Sequence, residues 1–172
     1  MREITVIGVG PGDPALLTLQ AADALRGAGR LVLRTAQHPV AGWLTAQGIV
    51  WTSLDELYDR YENFDDMHRA MAKRLWRMAE DGPVAFAVPD GGNDGAVDQL
   101  RLLKPEDGML TVLAGVSRMD SCLADAPLGA SGGIRVIPAQ SLTAASLQPA
   151  LPLLVTELDN AELAGDVKLC LT

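Results

Sequence analysis

The 172-residue sequence contains few aromatic residues, few cysteines and fewer basic than acidic residues. Aromatic residues make up 4%, so the core must be built from aliphatic side chains. Lysine and arginine total 14 against 22 aspartate and glutamate residues, and the net charge of −8 argues against a nucleic-acid-binding surface. The two cysteines, Cys122 and Cys170, form no CxxC pair, so the sequence predicts no disulfide framework and favours a reducing cytoplasm.

Several motifs are also missing from the sequence. No apolar run approaches the roughly 18 residues that cross a bilayer, so no membrane span is predicted. The chain lacks GxxxxGKS or GxxxxGKT and HExxH, which excludes a Walker-type phosphate loop and a zinc-protease helix. His38 precedes a proline and His68 lies in a predicted helix with a methionine stripe; two lone histidines make no paired-His motif, so we interpret both as structural and predict no metal site.

Apolar strands alternate with helical patterns in the first two thirds of the chain. Strands are predicted at 4–9, 30–34, 49–52, 84–88 and 109–113. Helices are predicted after the Thr18 cap and at 39–47, 65–81 and 94–103. The third of these helices carries a stripe that favours core packing: Met67, Met71, Leu75 and Met78. Apolar strands joined by helices predict an α/β fold with a five-stranded parallel sheet covered on both faces.

The last third of the chain has weaker patterns. A helix is predicted at 117–126 and strands at 134–137, 153–156 and 167–171. We therefore predict two domains, an N-terminal α/β domain over 1–113 and a smaller mixed α/β domain over 114–172. Because nothing follows the last predicted strand, the second domain is expected to be incomplete.

Three loops follow predicted strands at the sheet edge where ligands bind in open α/β folds. They are the glycine-rich loop 8–13 (GVGPGD), the β4 loop 89–94 (PDGGND) and the β5 loop 114–117 (AGVS). The composition of the β4 loop fits either a surface turn or a ligand loop. Ser117 in the β5 loop fits either a helix cap or a ligand contact.

The glycine-rich loop differs from a dinucleotide-binding turn, which requires GxGxxG. Its Pro11, and Pro14 just beyond it, remove N–H donors that a pyrophosphate would need. The acid that binds the NAD ribose is replaced by Arg34 and Thr35 after the second strand. An arginine at this point suits NADP, so that cofactor stays open as a weaker alternative.

Several segments together resemble a known family. The segments are VIGVGPGDPALLTLQAADALRGAGRLVLRT, RTAQHPV, YENFDDMHRAMAKRL, LAGVSRMDS and LPLLVTELDNAELAGDVKLCLT. They resemble the tetrapyrrole methylases, the class III S-adenosylmethionine (SAM)-dependent methyltransferases, in the branch fused to MazG-type nucleotide pyrophosphohydrolases. The resemblance implies a homodimer of two-domain chains with SAM bound in the cleft between the domains. It covers essentially the whole chain, in which no MazG-like helical domain is recognised.

The resemblance also assigns candidate roles to individual residues. The implied cofactor contacts are Pro11, Asp90, Gly91, Gly92, Val116, Ser117 and Gln140, the last within a segment expected near the adenine. Gly10 and Gly12 are expected on the substrate side. Asp13 is placed to act as a base on the acceptor, although a turn or cap role explains it equally well. The family often has Gly-Asp-Pro where this chain has the β4 loop, which leaves the contacts of that loop open.

The sequence therefore predicts a SAM-dependent methyltransferase that acts on a small molecule, with a tetrapyrrole as the candidate acceptor. Methyl transfer depends chiefly on proximity and alignment, so the absence of a catalytic triad is expected. Two alternatives stay open. The first is a non-catalytic SAM-binding or regulatory module of a nucleotide pyrophosphohydrolase system, and the second is an rRNA methyltransferase, which the acidic charge disfavours.

Overall fold

The computed structural model describes residues 1–125, 133–148, 150–158 and 160–171. Strands and helices alternate as expected for an α/β fold. The strands are β1 (Arg2–Gly8), β2 (Leu31–Leu33), β3 (Thr52–Ser53), β4 (Val84–Val88), β5 (Gly108–Leu113), β6 (Arg135–Pro138) and β7 (Leu153–Thr156). The helices are α1 (Leu19–Gly27), α2 (Val40–Ala46), α3 (Phe64–Met78), α4 (Gly95–Leu102), α5 (Arg118–Asp125) and α6 (Ala161–Leu171). The last residue of the helix predicted at 117–126 lies outside the described residues.

The first five strands form one parallel sheet in the order β3-β2-β4-β1-β5. Val6 in β1 lies opposite Phe86 in β4 on one side and Val112 in β5 on the other. Because β4, β1 and β5 are neighbours, the loops that follow them leave the sheet side by side. The predicted five-stranded parallel sheet flanked by helices is confirmed.

Both faces of this sheet are covered by helices. On one face, α3 packs through Met67, Met71 and Leu75 in one core cluster with the buried ring of Phe86, as the methionine-rich stripe predicts, and α4 joins this cluster through Leu100. On the other face, Leu25 of α1 and Leu44 of α2 pack with Ile7. Local signals set the helix ends: Thr18 Oγ1 accepts the Ala21 N–H at 3.1 Å, and Gly48, with φ of +70°, follows the end of α2.

Chain contacts divide the described chain into two compact units, Met1–Ala124 and Asp125–Thr172. The division predicted after residue 113 falls at the end of β5, whereas the first unit extends to Ala124 and so includes nearly all of α5. The second unit contains the parallel pair β6 and β7 and the helix α6. In the part of the chain that the structure describes, no helix is both long and apolar enough to cross a membrane.

The strand predicted at 167–171 is wrong, because this segment is the end of α6. Leu163, Val167 and Cys170 pack together with Ile137 and Leu142, and their spacing of four and three is helical. Asn160 Oδ1 accepts the Leu163 N–H at 2.8 Å, which caps the helix. A reading of the last five residues alone misses this cap and the first half of the apolar stripe. The predicted strand 49–52 also shifts, since pairing with β2 begins at Thr52.

Candidate functional site

The glycine-rich loop and the β5 loop are in backbone contact. A Cβ added to Gly8 would lie 2.6 Å from the Gly115 nitrogen, and one added to Gly115 would lie 2.5 Å from the Gly8 carbonyl oxygen. A side chain at either position would therefore overlap with the backbone of the other loop. The two glycines allow the ends of β1 and β5 to approach more closely than other residues permit.

Asp90 connects the β4 loop to the β5 loop. Its Oδ2 accepts the Ser117 hydroxyl at 2.8 Å, and its Oδ1 accepts the Gly92 N–H at 3.0 Å. The Ser117 oxygen also accepts the Met119 N–H at 3.1 Å and so caps the start of α5. Ser117 therefore caps α5 and bonds to Asp90 at the same time. Three residues predicted as cofactor contacts meet in one hydrogen-bonded group.

Gly91 and Gly92 occupy different environments in the β4 loop. Gly91 is buried, and a Cβ there would lie 3.2 Å from Cγ1 of Val112 and 3.5 Å from the Leu113 carbonyl oxygen. Gly92 is exposed beside Asp90. The loop thus rests on the ends of β1 and β5 through Gly91 and presents Gly92 to solvent.

The glycine-rich loop turns sharply at two of its glycines. Gly10 has φ of +82° and Gly12 has φ of +146°, conformations that favour glycine. The Gly10 N–H donates to the Pro89 carbonyl at 3.0 Å, and the Val116 carbonyl oxygen would lie 3.8 Å from a Cβ at Gly10. The structure therefore brings Gly10 together with the β4 and β5 loops, and half-buried Pro11 follows it directly.

Asp13, the predicted base, is exposed, and its Oδ1 accepts the Ala15 N–H at 2.8 Å. It thereby caps the short 3-10 turn Pro14–Leu16. This bond uses one of the two carboxylate oxygens of Asp13, and the role of Asp13 as a base stays a prediction. Gln140 is exposed on the 3-10 turn that follows β6 in the second unit, and its place near the adenine likewise stays a prediction.

The segment 34–39 lies against the glycine-rich loop, which the sequence did not reveal. His38 Nε2 lies 3.1 Å from the Gly10 carbonyl oxygen, and a Cβ at Gly12 would lie 3.5 Å from Cγ of Pro39. Asp55 Oδ2 accepts the Ala36 N–H at 2.9 Å and holds the middle of the segment. The sequence signal for this segment is the His-Pro pair at the start of the helix predicted at 39–47.

Arg34 connects the end of β2 to the end of the β4 loop. Its Nε lies 3.3 Å from Oδ2 of Asp94, whose side chain is only 4% exposed. The N–H is not aligned with that oxygen, so this buried atom forms an ion pair but no hydrogen bond within the described residues. Its Nη2 donates to His68 Nε2 at 3.0 Å. These contacts favour a structural role for Arg34 over binding of an NADP phosphate.

Asp94 and Tyr58 complete the group around Arg34. Asp94 Oδ1 accepts the Ala96 N–H at 2.9 Å, so one carboxylate both caps α4 and faces the guanidinium. Cζ of Arg34 lies 5.9 Å from the centre of the Tyr58 ring. Burial raises the pKa of Tyr58; the Arg34 charge opposes this, while Asp94 and Asp55 add to it. The phenol therefore stays neutral beside the cation at pH 7.

Among the described residues, no three histidine, cysteine, aspartate or glutamate side chains converge as a metal site would require. Cys122 is exposed and Cys170 is half-buried in the second unit, and both are free thiols. The polar contacts described at the carboxyl edge of the sheet involve carboxylates, a hydroxyl and backbone amides, together with the pair Arg34 and His68.

Comparison with solved structures shows that the fold of this chain is shared. The chain shares its fold with a putative cobalamin synthesis related protein (CobF) from Corynebacterium diphtheriae, at 22% identity and a TM-score of 0.68 over 96% of this chain and 76% of that one. It also shares its fold with the uroporphyrin III C-methyl transferase from Thermus thermophilus, at 18% identity and a TM-score of 0.60 over 98% of this chain and 76% of that one.

Sequence comparison gives a relative and a family. The uncharacterized protein YabN of Bacillus subtilis (strain 168) is 27% identical over 173 aligned residues, which cover 98% of this chain and 35% of that protein. The chain thus spans about a third of the length of this curated relative. A sequence model described as Tetrapyrrole (Corrin/Porphyrin) Methylases matches residues 3–137. Since this match covers more than half of the sequence, the chain belongs to the tetrapyrrole methylase family.

Proposed function

We propose that the protein is a methyltransferase that uses SAM to methylate a small molecule, with a tetrapyrrole as the candidate acceptor. The observation that carries the proposal is the meeting of the three loops at one edge of the sheet, where Asp90 bonds to Ser117 at 2.8 Å. Membership of the tetrapyrrole methylase family supports it, as does the fold shared with a uroporphyrin III C-methyl transferase.

The composition of the three loops fits SAM better than a nucleotide. Residues 8–13, 89–94 and 114–117 contain three carboxylates and neither lysine nor arginine. Phosphate ligands are usually bound by cations and by several N–H donors. SAM carries a positive sulfonium and an ammonium group, which favour a site with carboxylates and backbone groups. The Asp94 carboxylate is paired with Arg34, so Asp90 is the acid best placed for a cationic ligand.

On this proposal each loop has a distinct task. The residues of the first unit that would hold SAM are Pro11, Asp90, Gly91, Gly92, Val116 and Ser117. SAM supplies the electrophilic methyl group when bound. Gly10 and Gly12 would form the wall on the acceptor side, and Asp13 would accept a proton from the acceptor. Ordered loops contribute to the rate by keeping the reacting groups aligned.

The proposal extends to the place of the chain within its family. The segments RTAQHPV and YENFDDMHRAMAKRL support the branch whose members are fused to a MazG-type nucleotide pyrophosphohydrolase. We propose that this chain is a homodimeric methylase module of that branch and that it functions together with such a hydrolase domain. Pull-down or mass-photometry measurements on the purified chain, alone and with a MazG-type domain, would test both associations.

Binding of SAM by the purified chain is the decisive experiment. We expect isothermal titration calorimetry to show saturable binding of SAM and of its demethylated product. Asp90→Ala should weaken SAM binding about tenfold, because the Gly92 N–H and the Ser117 hydroxyl lose their acceptor and the cationic ligand loses its counter-charge. Asp98→Ala is the matched control, because Asp98 is an exposed carboxylate on α4 that bonds to Arg101.

Two results would contradict the proposal in different ways. If the wild-type chain binds neither SAM nor its product, the cofactor assignment is wrong. If it binds SAM but transfers no labelled methyl group to any acceptor in a metabolite screen that includes reduced uroporphyrin-type tetrapyrroles, the non-catalytic module is the better description. The β4 loop departs from the family pattern, and this departure is the reason to test for a non-catalytic module.

A further inference from the structure

His38 forms a bridge between the start of α2 and the glycine-rich loop. Its Nδ1 lies 3.2 Å from the Val40 nitrogen, and its Nε2 lies 3.1 Å from the Gly10 carbonyl oxygen. A backbone N–H can only donate and a carbonyl oxygen can only accept. The two partners therefore determine the tautomer: Nδ1 accepts from Val40, and Nε2 carries the proton that it donates to Gly10.

The two ends of this bridge differ in rigidity. Val40 begins α2 and is 1% exposed in the core with Leu44, so its position is determined by packing. Gly10 is a loop residue with φ of +82°, and its N–H is bonded to the Pro89 carbonyl. The imidazole thus connects a packed helix start to the carbonyl side of the Gly10 turn.

Charge and burial agree with a neutral bridge. Burial lowers the pKa of His38 below its ordinary value and the nearby Arg118 charge lowers it further, while the hydrogen bond to Gly10 opposes both effects. Protonation at Nδ1 would place an N–H against the Val40 N–H. The ring therefore bridges the two backbone groups in its neutral form.

We propose that His38 is a positioning residue that holds the Gly10 turn, and with it the adjacent Pro11, in the conformation needed to bind the methyl donor. This inference rests on the proposed function, because that function assigns Pro11 to the donor. His38 acts through Gly10, which in turn is bonded to the β4 loop. It couples the segment 34–39 to the loops that carry Asp90 and Ser117.

Three substitutions separate the two hydrogen bonds of the imidazole. His38→Gln places a donor near the position of Nε2, His38→Asn places an acceptor near the position of Nδ1, and His38→Ala removes both. We expect the affinity for SAM, measured by calorimetry, to fall about fivefold or more in the asparagine and alanine variants. The glutamine variant should bind within about twofold of wild type. Gln37→Ala, an exposed neighbour in the same segment, is the control.

Thermal melting of the same variants separates positioning from stability. A role limited to stability predicts that SAM affinity follows the melting temperature and that glutamine gives no selective rescue. That pattern would overturn the inference. Equal SAM affinity in wild type, His38→Asn and His38→Ala would overturn it as well, while leaving the proposed function intact. Failure of the wild-type chain to bind SAM would overturn the proposed function and this inference with it.

Imidazole ¹⁵N spectra give a readout that needs no ligand. The chain has two histidines, and the structure predicts opposite tautomers for them when both are neutral. His38 carries its proton on Nε2, whereas His68 accepts from Arg34 at Nε2 and so carries its proton on Nδ1. The His38→Gln spectrum assigns the two rings. An Nδ1–H tautomer or a charged ring at His38 at pH 7 would overturn the bridge and the inference.

Discussion

Replacing Asp94 by alanine should lower the free energy of unfolding of the first unit by about 3 kcal/mol. The substitution removes the ion-pair partner of Arg34 and also the acceptor for the Ala96 N–H at the start of α4. Breaking a buried pair typically costs about 3 to 5 kcal/mol, and losing a cap adds about 1 kcal/mol. The Arg34 side chain is 20% exposed and can reach water, so the lower end of this range is expected.

Two companion variants identify the cause of this loss. Asp94→Asn keeps an oxygen for the Ala96 N–H but has no charge, so its loss should be smaller than that of Asp94→Ala. Asp98→Ala removes an exposed carboxylate on the same helix and should change stability by no more than about 0.5 kcal/mol. Urea unfolding followed by circular dichroism measures all three. A loss below about 1 kcal/mol in Asp94→Ala would show that the Arg34–Asp94 pair contributes little to the fold.

Replacing Gly115 by alanine should reduce both stability and binding of SAM. The new Cβ would lie 2.5 Å from the Gly8 carbonyl oxygen, so the ends of β1 and β5 would have to move apart. Overpacking of this kind costs about 1 to 3 kcal/mol. The displacement would also move Val116 and Ser117 and strain the 2.8 Å hydrogen bond to Asp90. We therefore expect SAM affinity to fall about tenfold or more.

Gly27→Ala is the matched control for this substitution. Gly27 is the last residue of α1, and a Cβ there would meet no atom within 4 Å. Alanine at a helical position is favourable relative to glycine, so stability should be unchanged or slightly higher. Normal SAM affinity in Gly115→Ala would show that the contact between β1 and β5 is not needed for the site. Differential scanning fluorimetry and calorimetry on both variants provide the measurements.

The positions of the three loops could be predicted from the sequence, but their contacts could not. Glycine and proline after apolar strands indicate loops at the carboxyl edge of a parallel sheet. Which loops are adjacent depends on the strand order β3-β2-β4-β1-β5. That order brings Asp90 and Ser117 together across 27 positions of the chain. No local pattern encodes a pairing over such a distance.

The segment 34–39 shows why isolated polar residues are hard to interpret from sequence. His38 and His68 belong to no recognisable metal-binding motif, and each makes a hydrogen bond to a distant residue in the fold. The position of Arg34 after the second strand is compatible with binding of an NADP phosphate, but in the structure its side chain pairs with Asp94. In each case the partner comes from another element, so its identity depends on packing.

The sequence by itself determined the alternation of strands and helices in the first unit, the cap at Thr18, and the apolar faces that bury the sheet. These features depend on neighbours within about one helical turn or one strand, which the chain order specifies directly. The tertiary structure alone decided that α6 packs with β6, that Asp90 bonds to Ser117, and that His38 supports Gly10. These contacts join residues far apart in the chain and exist only once the elements have packed.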